Sequence, residues 1–169
     1  MTTTFTEGNL QILFPAGTAA RRFDDDQHGL THCMKAVDFI VELPDRYLFI
    51  EFKDPQHPGS LERDRTKFIQ GFLAGRIDED FKYKYRDTFL YEWASGRANK
   101  PIYYCVLVAM DTLTEADLIT RTDDLKQKLP VEGPSAGTWK RPIVAGCAVF
   151  NVSSWNKNFP DYTVSRTTP

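Results

Sequence analysis

Hydrophobic and polar positions mark a pair of strands near the middle of the chain. Residues 36–43 (AVDFIVEL) and 46–53 (RYLFIEFK) are rich in β-branched and aromatic side chains, which favour extended structure. Only Pro44-Asp45 separates the two runs. This arrangement predicts an antiparallel hairpin. A two-residue loop gives the register used below, whereas a loop one residue longer or a bulge would shift it, and Pro-Asp is not the favoured dipeptide of a tight hairpin turn.

The rest of the pattern predicts helices alternating with buried strands. Apolar residues recur at helical spacing over 61–75 and again from Phe81 to Gly96, and Thr114 can cap a helix over 115–129. Two continuous apolar runs are typical of strands covered on both faces. These runs are 102–110 and 142–150. We expect an α/β fold in which helices flank a mixed β-sheet.

The hairpin brings two acidic residues together. Pairing outward from the loop places Asp38 opposite Glu51, with their Cβ atoms about 5 Å apart. Strand residues alternate between faces, so Glu51 and Lys53 share one face, and Val37 and Phe39 belong to the opposite set, which we expect to face the core. Opposed like charges destabilise a sheet unless a cation or a nearby Lys offsets them.

Asp38, Glu51 and Lys53 are residue types that can hydrolyse a phosphodiester with the help of a metal ion. A hard cation neutralises the charge that develops on the phosphate, and a positioned group activates the attacking water. Asp38, Glu51 and the backbone carbonyl of Phe52 offer three oxygen ligands of the kind that Mg²⁺ prefers. Lys53 can hold the water or the phosphate, or act as a general base.

This arrangement resembles the PD-(D/E)xK nuclease superfamily, in the segments Val37-Asp38 and Glu51-Phe52-Lys53. Val37 replaces the proline that names the motif, which leaves the metal ligand in place. The resemblance covers about residues 5–110. It implies a restriction-endonuclease-like core, ordered helix, three strands, helix and strand, with cleavage of DNA or, less often, RNA.

The resemblance also implies residues outside the motif. An acidic residue on the first helix contributes to a second metal site, and Glu7 is the candidate, in competition with the run Asp24 to Asp26. A Lys or Gln on the helix after the motif contacts phosphate or the attacking water. Lys67 and Gln70 are the candidates for that role.

Two further acid-x-Lys patterns, Asp80-Phe81-Lys82 and Asp124-Leu125-Lys126, lie in helical segments and indicate ordinary solvated pairs. The segment 81–86 (FKYKYR) interleaves aromatic and basic residues. We interpret it as a helix packed through its aromatic side chains, with Lys82, Lys84 and Arg86 solvated and available to phosphates.

Composition limits the possible partners. The 169 residues suffice for one domain, 1–169, and Lys and Arg number 21 against 23 Asp and Glu, a formal net charge of −2. Any nucleic-acid surface is therefore local, or is completed by a second copy or a partner protein. The three unevenly spaced cysteines, and the lack of a secretion signal or membrane span, favour a cytoplasmic protein.

The sequence thus predicts a nuclease dependent on Mg²⁺ or Mn²⁺, with DNA favoured over RNA as substrate and no membrane partner. Restriction, antiviral defence and repair are all compatible settings. The alternative is a non-catalytic module of the same fold that binds nucleic acid or protein.

Overall fold

A computed structural model describes residues 2–25, 28–137 and 139–167. The strands are β1 (Thr3–Glu7), β2 (Leu10–Phe14), β3 (Ala19–Arg22), β4 (Phe39–Glu42), β5 (Tyr47–Lys53), β6 (Ile102–Val108), β7 (Gly146–Phe150) and β8 (Val164–Arg166). The helices are α1 (Glu62–Leu73), α2 (Asp78–Ala94), α3 (Glu115–Lys128) and α4 (Val152–Asn158).

The strands form two sheets. A five-stranded sheet has the order β3-β4-β5-β6-β7, in which β3, β4 and β5 are antiparallel and β5, β6 and β7 are parallel. The parallel strands require crossovers, which α1 and α2 supply before β6 and α3 supplies before β7. A three-stranded antiparallel sheet has the order β1-β2-β8. The predicted α/β fold with a mixed sheet is confirmed.

The β4–β5 hairpin has the predicted register. Phe39 pairs with Ile50 and Glu42 pairs with Tyr47, and the Leu43 N–H donates to the Arg46 carbonyl at 2.8 Å. The two-residue loop at Pro44-Asp45 is therefore confirmed.

Both faces of the five-stranded sheet are buried, which corrects the prediction of a single core-facing set. On one face, Ile40 and Phe49 pack with Tyr85 of α2. On the other face, Phe39 and Ile50 pack in a second cluster that includes residues of β2 and α4. The acidic pair therefore lies on a covered face of the sheet, and Asp38 and Glu51 are buried at 4% and 0% exposure.

The N-terminal segment differs from the expectation derived from the family. Glu7 lies at the end of strand β1, and no helix precedes β3 in the described part of the chain. Leu10, Ile12 and Phe14 alternate with less buried residues, so the period is that of a strand. Gly8, with φ +55°, makes the turn that pairs Glu7 with Leu10.

The helices predicted over 61–75, 81–96 and 115–129 and the strand predicted over 102–110 are confirmed with shifted ends. The strand predicted over 142–150 begins only at Gly146. Thr114 caps α3 in a reciprocal capping box with Asp117. Cys105 and Cys147 are buried, Cys33 is exposed, and all three are free thiols. Among the described residues, no helix has both the length and the apolar character needed to span a membrane.

Candidate active site

Asp38 and Glu51 lie side by side at the end of the β4–β5 ladder. Asp38 directly precedes β4, and continuing the register by one residue places it opposite Glu51. Leu43 and Arg46 are a hydrogen-bonded pair of the ladder. Hydrogen-bonded and non-hydrogen-bonded pairs alternate along antiparallel strands, so Asp38 and Glu51 form a non-hydrogen-bonded pair. Side chains approach most closely at such pairs, so the two carboxyl groups share one buried space.

The ladder stops at this point because side chains replace its next hydrogen bonds. Val37 would pair with Phe52, but its N–H donates to Thr88 Oγ1 at 3.1 Å. The Phe52 N–H donates to Asp38 Oδ2 at 2.6 Å. The Lys53 carbonyl accepts a hydrogen bond from the Ala109 N–H, on the side of β6. Successive carbonyls of a strand point to opposite sides, so the Phe52 carbonyl points toward β4, where the Val37 N–H that would have been its partner is used elsewhere.

Two ammonium groups surround the buried carboxylate of Glu51. Lys53 Nζ and Lys84 Nζ each lie 2.8 Å from Glu51 Oε1. Lys84 Nζ also lies 4.0 Å from Asp38 Oδ1 and 3.9 Å from Asp24 Oδ2. The side chains of Lys53 and Lys84 are 28% and 14% exposed, so both cations sit between the buried acids and solvent.

The electrostatics of the pair favour an added positive charge. Burial, followed by the Glu51 charge, raises the pKa of Asp38 from 3.8 to about 8, although Lys84 and the Phe52 N–H partly oppose the shift. Burial opposes the charged form of Lys84, but the charges of Glu51 and Asp38 outweigh it and raise the pKa of this amine. Burial and the Glu51 charge therefore favour the protonated form of Asp38, and a bound cation would favour its ionised form.

The oxygen atoms of the site fit a hard divalent cation. Both Glu51 carboxylate oxygens are buried and accept no hydrogen bond from the described residues, although both lysines lie within ion-pair distance of Oε1. With Asp38 and the Phe52 carbonyl, Glu51 provides oxygen ligands suited to Mg²⁺, which normally keeps several waters. In the described ranges, no group of three or more His, Cys, Asp or Glu side chains could hold a metal by itself. The backbone carbonyl and solvent would have to complete the shell.

The structure brings Glu7 close to the motif, from a strand instead of the expected helix. Its carboxylate pairs with Arg22 Nη1 at 2.7 Å and is 40% exposed, and its charge contributes to the raised pKa of Asp38. Asp24 Oδ2 lies 3.9 Å from the Lys84 ammonium group. Asp26 lies outside the described residues. Both Glu7 and Asp24 thus lie at the rim of the site.

Lys67 and Gln70 do not join this group of residues. Both are exposed on α1, and neither side chain forms an ion pair or hydrogen bond with the motif residues in the described part of the chain. Lys84 of α2 instead provides the helix-borne cation, which corrects the expectation that it is solvated. Lys84 lies at the flank of the buried stripe that Phe81 and Tyr85 form on α2. This position was the sequence signal that could have indicated a partly buried side chain.

Similarity to known proteins adds nothing to this geometry. In comparisons with protein-family models, curated proteins and solved structures, the chain has no match.

Proposed function

We propose that the chain is a divalent-metal-dependent nuclease whose centre consists of Asp38, Glu51, Lys53 and Lys84. One observation carries this proposal: two buried, opposed carboxyl groups lie where the ladder ends and the Phe52 carbonyl loses its partner. A bound Mg²⁺ or Mn²⁺ would supply charge neutralisation at the phosphate and a more acidic water.

The protein side chains have distinct roles in this proposal. Asp38 and Glu51 hold the metal with the Phe52 carbonyl. Lys53, the more exposed of the two lysines, orients the attacking water or anchors the scissile phosphate. Lys84 keeps Glu51 ionised and in place, and Glu7 is the candidate for an additional acidic ligand.

The topology supports a restriction-endonuclease-like core within this proposal. Three antiparallel strands, helices and then a parallel strand follow one another from β3 to β6, in the order that the family resemblance implies. The N-terminal hairpin replaces the expected first helix. The resemblance therefore rests on β3 to β6 and on the motif.

The test is a cleavage assay with single-stranded DNA, double-stranded DNA and RNA, each with Mg²⁺, Mn²⁺ or chelator. Wild type is compared with Asp38→Ala and Lys53→Ala, and with Lys67→Ala as a matched control from the exposed face of α1. We expect metal-dependent cleavage, with DNA the better substrate. Removing a catalytic lysine should lower the rate by about 10²-fold or more.

The control variant should cut like wild type. Absence of cleavage of every polymer with either metal would overturn the proposal, and so would full activity of Lys53→Ala.

A second candidate function has its own supporting observation. Lys53 and Lys84 already neutralise the buried Glu51 carboxylate, as in a structural ion-pair cluster. A non-catalytic module that binds nucleic acid or protein would need no more than this. It predicts nucleic-acid or protein binding without cleavage, unchanged by Lys53→Ala.

A further inference from the structure

A cavity of about 320 Å³ lies beside the candidate active site, at the end of β3. Its walls include Arg21, Arg22, Asp25, His28, Tyr91 and Arg97. The Phe23 N–H, at the end of the same strand, donates to the Asp38 carbonyl at 2.8 Å. This hydrogen bond continues the β3–β4 pairing and places the cavity next to Asp38.

Two guanidinium groups in the cavity wall are held in place by one buried carboxylate. Arg97 donates to both oxygens of Glu92, at 3.0 and 3.1 Å, and Arg21 donates to the same side chain. Glu92 is only 2% exposed, whereas the Arg21 and Arg97 side chains are 40% and 46% exposed. One carboxylate cannot balance two guanidinium charges or use all of their N–H donors. Fixed donors therefore remain available to a ligand.

Arg22 adds a third guanidinium at the side nearest the active site. It pairs with Glu7 and donates to the Thr6 carbonyl, and its side chain is 33% exposed. Glu7 neutralises this arginine, so Arg22 contributes directed N–H donors more than net charge. It also connects the cavity wall to the rim of the active site.

His28 supplies a buried donor that has no acceptor. Its Nδ1 accepts the Leu30 N–H at 3.0 Å, so the proton of the neutral ring lies on Nε2. Nε2 is buried and forms no hydrogen bond within the described ranges. The Phe23 ring stacks on the His28 imidazole with 5.7 Å between ring centroids, and the Tyr91 ring makes an edge contact with 5.8 Å between centroids. These contacts hold the imidazole in place.

We propose that this cavity binds a phosphate group of the substrate strand away from the scissile bond, among Arg21, Arg22, Arg97 and the His28 Nε2–H. Phosphate oxygens accept hydrogen bonds and carry charge, which matches a wall of fixed guanidinium and imidazole N–H donors. The inference rests on the proposed function, because it makes the cavity a substrate subsite of the same nuclease. Three arginines face three carboxylates, those of Glu7, Asp25 and Glu92, so the cavity would hold phosphate through directed N–H donors and not through a surplus of positive charge.

The first test uses the intact wild-type protein in chelator, so that no cleavage is possible. The side-chain ¹⁵N resonances of its three histidines are followed by NMR during titration with inorganic phosphate, AMP and adenosine. We expect phosphate and AMP to shift His28 Nε2 selectively, with His32 and His57 as internal controls and adenosine without effect. Equal shifts of all three histidines, a response to adenosine, or no response of His28 would overturn the proposal.

The second test measures the affinity of a fluorescent single-stranded oligonucleotide in chelator at several salt concentrations. Arg97→Gln and Arg22→Gln are compared with Arg63→Gln, whose side chain on α1 is 82% exposed. We expect Arg97→Gln to weaken binding by about tenfold. Loss of one phosphate contact should also reduce the slope of log K against log salt by about 0.7.

Arg22→Gln should act in the same direction and leaves the Glu92 bridge intact, so a folding defect of Arg97→Gln would not hide the effect. Unchanged affinity and slope in both variants would contradict the proposal. These measurements are independent of cleavage. Binding that depends on the cavity, in a protein that never cuts, would refute the nuclease proposal alone.

Discussion

Replacing Asp38 with asparagine should stabilise the metal-free protein, by an amount that grows with pH. The buried carboxyl group has a pKa of about 8 in the folded protein, against 3.8 for the ordinary side chain. Between these values the folded chain binds a proton that the unfolded chain releases. The contribution of Asp38 to the stability of wild type therefore falls as the pH rises from about 4 to about 8.

The size of the effect follows from the same shift. Each pKa unit corresponds to about 1.4 kcal/mol, so roughly four units set an upper limit of about 6 kcal/mol at pH 8. Asparagine does not titrate, and its amide oxygen can still accept the Phe52 N–H that now bonds Asp38 Oδ2. The stability difference should be near zero at pH 4 and should grow by at most about 1.4 kcal/mol per pH unit.

Urea denaturation in chelator, repeated from pH 4 to pH 9, measures this difference. Asp45→Asn is the matched control, because that side chain is 66% exposed in the hairpin loop. A difference for Asp38→Asn that is constant or decreases with pH would refute the reasoning. With Mg²⁺ present, wild type should gain stability by mass action and Asp38→Asn should gain much less.

Three other substitutions test separate parts of the account. Lys84→Gln should reduce cleavage by about 10²-fold, whereas Lys82→Gln on the same helix should leave the rate near wild type; equal rates for both would exclude a role for Lys84. Arg121→Ala leaves the buried Asp78 carboxylate unpaired and should cost about 3–5 kcal/mol in urea denaturation, and a loss below about 1 kcal/mol would contradict this. Thr114→Ala removes the α3 cap and should lower stability by about 1 kcal/mol, and an unchanged melting temperature would count against the capping box.

The part of the site that depends on local structure could be predicted from the sequence. A two-residue loop fixes the register of a hairpin, and alternation along the strands then decides which side chains share a face. These two rules alone place Asp38 opposite Glu51 and put Lys53 on the same face as Glu51. The burial of both sheet faces did not follow, because a strand pattern does not reveal what covers its second face.

Lys84 could not be predicted, because its role depends on how α2 docks against the sheet. Helical periodicity identifies the buried stripe through Phe81 and Tyr85, but a residue at the flank of that stripe can face solvent or a neighbouring strand. The rotation of the helix about its axis decides between these outcomes. That rotation is set by packing against strands distant in the sequence, such as the contacts of Tyr85 with Phe49 and Tyr104.

Glu7 shows a different reason for error. The expected helix came from the family resemblance, whereas the alternation of Leu10, Ile12 and Phe14 indicates a strand. The strand nevertheless carries Glu7 to the rim of the site, where it contacts Arg22. Glu7 therefore lies near the motif on a strand and not on a helix.

The most direct test of the central claim is the rate of DNA cleavage as a function of Mg²⁺ concentration, for wild type and Asp38→Asn at equal protein concentration. For wild type, a metal centre built on these residues should give a rate that is zero in chelator, rises with Mg²⁺ and saturates. The rate of the variant should be lower by about 10²-fold or more. Cleavage that persists in chelator, or that is equal in the two proteins at every Mg²⁺ concentration, would contradict a metal centre built on Asp38 and Glu51.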